Sequence, residues 1–119
     1  MDEIPVPERW HHAFADVVHR VIARDFDGLN RDGLLDPVHA SRPSQIAHWI
    51  DRYPGTLVDL PEAAWATADC SPVQDRPGAW WVVVDLWTAE EGRSDLTLEA
   101  YVIEDGGEVR VVVYDVHVL

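Results

Sequence analysis

The chain has one cysteine, one methionine and no lysine in 119 residues, so all nine basic residues are arginine. Cys70 cannot close an internal disulfide, which points to a fold held by burial alone and to a reducing, cytoplasmic setting. A single methionine leaves no soft Met-lined groove for promiscuous binding. No apolar run approaches membrane-spanning length, and "MDEIPVPERW" carries acids where a secretory leader needs a basic start. Neither a membrane anchor nor export by that route is expected. Also missing are HExxH, paired-cysteine motifs, a phosphate-cradling glycine loop, a nucleophile elbow and a calcium loop with its terminal glutamate. His11 and His12 diverge on a helix, His12 and His19 lie too far apart along its axis for one ion, and His48 sits on a helix flank. No metal site and no cofactor are expected.

Positive charge is the scarcest commodity. The net charge is −13, and it is unevenly spread. Residues 1–60 carry six arginines against ten acids, whereas residues 61–119 carry three against twelve. Such a surface repels nucleic acid and anionic membrane and attracts basic surfaces. The lack of lysine beside abundant Ala, Val, Asp and Arg reflects a GC-rich bacterial genome more simply than a function. With 47% apolar residues the chain has ample material for a core, and one domain over 1–119 is expected.

Trp10, Phe14, Val17, Val18 and Val21 recur at helical spacing after Pro7 and predict a helix to about Asp25. "DFDGLNRDGLLDP" reads as a helical turn and loop. Ile46, Trp49, Ile50 and Tyr53 predict a second amphipathic helix that stops at Pro54-Gly55, with Trp10 and Trp49 on core faces. From Thr56 the period changes: a short apolar run, a helical bend at "PEAAW", a weak strand ending at Pro72, and then "WWVVVDLWTA" as a central strand. Strand 96–104, the "DGG" turn and strand 108–119 follow as a hairpin, with Leu98, Ala100, Val102, Val109, Val111 and Val113 on its core face. The order predicts an α+β fold, with N-terminal helices packed on one face of a curled antiparallel sheet of about four strands.

"PERW", "VVHRVIARDFDGL", "WIDRYPGTLVDLPEAAW", "VVVDLWTAEEGRSDLTLE" and the terminal "DVHVL" resemble a family of small bacterial proteins known as a domain of unknown function. The opening helix ending in "ARDFDGL" before a curled sheet is also similar to the cystatin-like, SnoaL-like α+β cone. That second resemblance implies a superfamily containing isomerases, cyclases, dehydratases and non-catalytic binding or assembly modules.

Two constellations stand out. In "LWTAEEGRSDL" the acids Glu90, Glu91 and Asp95, with Asp85 and Glu99 nearby, face Arg93 alone, beside Trp87. Acids around a tryptophan suit docking on a basic partner, and Trp87, Glu90, Glu91, Asp95 and Glu99 are the expected partner-binding residues. A plain solvated hairpin tip would instead pair Arg93 with Glu90 or Glu91. Asp115 and His117, two apart and in line with Val113, form with Asp85 the polar set of a pocket between the first helix and the sheet, where an Asp-His pair could act as general base. Three readings result. The leading one is a non-catalytic acidic binding protein of the immunity or antitoxin type, capping a basic protein such as a nuclease-type toxin. The second is a SnoaL-like enzyme or ligand carrier using Asp85, Asp115 and His117. The third is a homodimeric module pairing through an open sheet face with Tyr101, Ile103, Val112 and Tyr114.

Overall fold

Pro7, at φ −58°, leads into a 3-10 turn over Glu8–Trp10, and α1 follows at His11–Ile22 in this computed structural model, which describes residues 4–37 and 42–118. Phe14, Val17, Val18 and Val21 are all buried, the stripe that their spacing predicts. The helix stops where Arg24 takes a left-handed φ of +57°. Asp25 then caps α2, Phe26–Arg31, accepting a hydrogen bond from the Gly28 N–H at 3.0 Å. A Cβ on Gly28 would come within 2.3 Å of the Asp25 carboxylate, so the cap requires glycine there.

Arg42–Arg52 forms α3, which buries Ile46 and Ile50. Trp49, expected in the core, is 41% exposed. The helix contacts β5, and its buried stripe is the narrow i, i+4, i+8 line of Arg42, Ile46 and Ile50.

Five strands follow: β1 Leu57–Val58, β2 Asp69–Pro72, β3 Ala79–Thr88, β4 Gly92–Asp105 and β5 Glu108–Val118. Leu119, expected at the end of the last strand, lies outside the described residues. β1 and β2 both pair antiparallel with β3, at its C-terminal and N-terminal halves respectively, and β3–β4–β5 continue as an antiparallel meander. Helices with a curled antiparallel sheet make this an α+β fold. Ile4 bridges to Cys70. On the far edge, Leu34 and Asp36 hydrogen-bond to the main chain of Val113, so two short segments occupy edges that would otherwise offer free backbone groups.

One hydrophobic cluster joins Phe14, Val17 and Val18 of α1, Ile46 of α3, Val82, Val84 and Leu86 of β3, Leu98, Ala100 and Val102 of β4, and Val111, Val113 and Val116 of β5. Val109, also expected in this face, is partly buried against the cluster.

Two irregularities in the meander decide which side chains face this core. Ala100 pairs with Val113 but Glu99 pairs with Asp115, which leaves Tyr114 as an extra residue in β5. Past that bulge the core-facing positions change from odd to even, with Val116 buried opposite Leu98. The second lies where Asp85 pairs with Thr97 but Trp87 pairs with Arg93. Here the buried Ser94 hydroxyl donates to the Leu86 carbonyl at 2.8 Å and accepts from the Leu96 N–H at 3.1 Å, satisfying two groups the ladder leaves open.

Candidate functional site

The turn joining β3 to β4 places Glu90 and Glu91 at its tip, with Gly92 at φ +79°. Neither carboxylate pairs with Arg93, whose Nε lies 3.9 Å from Asp85 instead. Both are held by neutral donors from the loop that follows α3. Thr56 donates to Glu90 through its N–H at 2.7 Å and its hydroxyl at 2.9 Å. Tyr53 donates its hydroxyl to Glu91 at 2.6 Å and accepts from the Asp95 N–H at 2.9 Å. The Thr56 bonds favour the ionised form of Glu90 and hold its pKa below the ordinary glutamate value. Glu91 has the converse effect on Tyr53, raising the phenol's pKa. Ala89 also donates to the Thr56 carbonyl. A Cβ on Gly55 would lie 2.9 Å from the Thr88 methyl, so the close approach of this loop depends on the glycine.

The tip therefore keeps its negative charge while its geometry is fixed. Trp87, expected as an apolar anchor for a partner, is half-buried, packs against the core cluster and rests its ring against Gly92. Its indole N–H is enclosed without a partner among the described residues. It supports the turn from beneath. Asp95 is exposed beside the tip, whereas Glu99 lies seven residues along β4 from Gly92, away from it.

Glu99 meets Asp115 and His117 on the sheet face turned away from the core. His117 Nε2 is 2.7 Å from Glu99 and its Nδ1 is 3.8 Å from Asp115. Arg42, buried at the start of α3, reaches Asp115 at 2.7 Å and stacks over Tyr114 at 4.7 Å. Thr97 donates to Asp85 at 3.1 Å in the same face. The expectation that Asp85, Asp115 and His117 line a pocket between the first helix and the sheet is corrected here. The bulge at Tyr114 turns Asp115 and His117 away from Val113, and Asp85 alternates with buried Val84 and Leu86. Glu99, Asp115 and His117 present potential ligand atoms within 4.8 Å of one another. A cation there would have to displace the Arg42 guanidinium from Asp115, so the cluster reads as an ion-pair network. Trp81, Tyr101 and Tyr114 pack edge to face beside it, with centroids 4.8 to 5.9 Å apart.

Cys70 is fully buried, and burial pushes its thiol up to about 11, which keeps it protonated and unreactive at neutral pH. Among the described residues no helix is long and apolar enough to cross a membrane.

Sequence reasoning missed Tyr53, Thr56 and Arg42. Tyr53 was legible only as a core position at the end of a helix, although a phenol at the surface end of an apolar stripe is also a hydrogen-bond donor looking for an acceptor.

No curated protein and no solved structure matches the chain. A domain of unknown function, DUF7668, matches residues 18–119, which take in every residue of the hairpin tip and of the outer-face cluster. The chain belongs to the DUF7668 family.

Proposed function

We propose that the protein is a non-catalytic binding module of the immunity or antitoxin type, whose β3–β4 hairpin docks on a basic protein, such as a nuclease-type toxin. The observation that carries this reading is that Glu90 and Glu91 are ordered by Tyr53 and Thr56, not by arginine. A carboxylate held by neutral donors keeps its full charge and has already lost much of the freedom that binding a cation would take from it. Asp95 and the deeper Glu99 extend the same negative strip along β4, and the net charge of −13 steers a basic partner from a distance. Trp87 stiffens the turn from below. The cystatin-like arrangement, with α1 in the curl of the sheet, and a bacterial, cytoplasmic setting belong to this reading. It places the working surface on a hairpin at the rim and asks nothing of the packed interior.

The test is association with the cognate basic partner, isolated from the native host. The association rate should fall steeply with added salt and with Glu90→Arg or Glu91→Arg. A rate indifferent to both would reject electrostatic docking at the hairpin.

A further inference from the structure

Six of the nine arginines pair with carboxylates: Arg9, Arg20, Arg24, Arg31, Arg42 and Arg93. Arg52, Arg76 and Arg110 form no such pair among the described residues, although the chain holds more than two acids for every arginine. Arg76 and Arg110 line the same cleft, about 570 Å³ in volume, at the far end of the strands from the acidic tip. Arg76 comes from the loop before β3 and Arg110 from the start of β5. The Arg110 guanidinium lies over Gly33, 3.4 Å from where a Cβ would stand, and Gly33 with Asn30 forms one wall of the cleft. The floor is apolar, built from Leu35, Tyr101, Ile103 and Val112. Tyr101 is fixed there by its edge contacts with Trp81 and Tyr114.

We propose that this cleft binds a small organic anion with an apolar body, an aryl or acyl phosphate or carboxylate, with its head on Arg76 and Arg110 and its body on Tyr101, Ile103 and Val112. The volume falls in the range of small-molecule sites, and the apolar floor with a few convergent polar groups is their usual composition. Guanidinium groups match the planar oxygen pairs of carboxylate and phosphate. The chain's overall field is negative, so an anion is held here by local contacts and not by long-range attraction. Asp36 also lines the cleft. This site is independent of the hairpin and stands or falls separately from it.

Calorimetric titration with phenyl phosphate tests it, with inorganic phosphate and benzyl alcohol as the two halves of the probe. Saturable one-to-one binding is expected for phenyl phosphate, with both halves weaker. Arg76→Gln and Arg110→Gln should each weaken it by about tenfold or more. Both side chains are exposed, so the variants should keep the wild-type circular dichroism. Absence of saturable binding at millimolar phenyl phosphate would overturn the proposal, as would binding that both variants leave unchanged. Equal affinity for inorganic phosphate would reduce the site to an adventitious anion contact and overturn it too. A mass above the monomer's in sedimentation, lost with either arginine variant, would assign the cleft to a second copy and overturn the small-molecule reading.

Discussion

The Tyr53 hydroxyl lies 2.6 Å from the Glu91 carboxylate, joining the end of α3 to the tip of the β3–β4 hairpin across 38 residues of sequence. Its consequence is electrostatic. A phenol orders the carboxylate without cancelling its charge, which an arginine in the same place would do.

Tyr53→Phe keeps the ring and removes that bond together with the one from the Asp95 N–H. Stability should drop by about 1 kcal/mol or less, since the bonds are exposed to water. Amide hydrogen exchange across residues 90–96 should accelerate by more than it does in β5. Uniform acceleration, or none, would mean that the hairpin is ordered by its own turn.

Ser94→Ala would leave the Leu86 carbonyl and the Leu96 N–H without the hydroxyl that bonds them in a buried place. A loss of about 1 to 3 kcal/mol is expected in urea unfolding, with an unchanged denaturant slope. A neutral outcome would show that the irregularity in β4 satisfies itself.

Arg42→Met should destabilise by roughly 3 kcal/mol, because it leaves Asp115 and Glu99 side by side with only His117 between them. Asp115→Asn in the same background should restore part of the loss. If the double variant is no better than the single one, Arg42 acts through its packing on Tyr114.

Acid sensitivity has a defined origin at the other end of the sheet. Arg9 hydrogen-bonds to Glu104 at 2.7 and 2.9 Å and holds that carboxyl down to about 2, against an ordinary 4.5. Because the folded state binds this proton less readily than the unfolded one, the contribution is complete above 4.5 and disappears as the pH falls from 4.5 towards 2. Arg9→Ala should flatten that part of the stability curve and change little of its slope near neutral pH. An unaltered acid limb would remove Glu104 from the account.

The strands were legible because "WWVVVDLWTA" and the run on either side of "DGG" are too β-branched and aromatic for helix, and α1 because its apolar spacing is unbroken. The orientation of Asp115 and His117 was also written in the sequence, though not where simple alternation looks for it. Apart from Val112 on the outer face, the valines of β5 occupy odd positions 109, 111 and 113 and then even positions 116 and 118, a change of phase that one extra residue accommodates. The partners of Glu90 and Glu91 were not legible. They come from a loop more than 30 residues away, and its arrival depends on where α3 ends and on the space left by Gly55. Trp49 fits the apolar wheel of α3 as well as Ile46 does, but a helix beside a strand edge buries a narrower stripe than its own pattern allows.

The most direct test of the central claim is chemical-shift mapping of the labelled protein during titration with an arginine-rich peptide. The account predicts that perturbations concentrate in residues 85–99 and Tyr53–Thr56, and that Glu90→Arg with Glu91→Arg abolishes them while leaving the fold intact. Perturbations spread evenly over every exposed acid, Asp59, Asp69, Asp105 and Glu108 included, and insensitive to those two substitutions would contradict it.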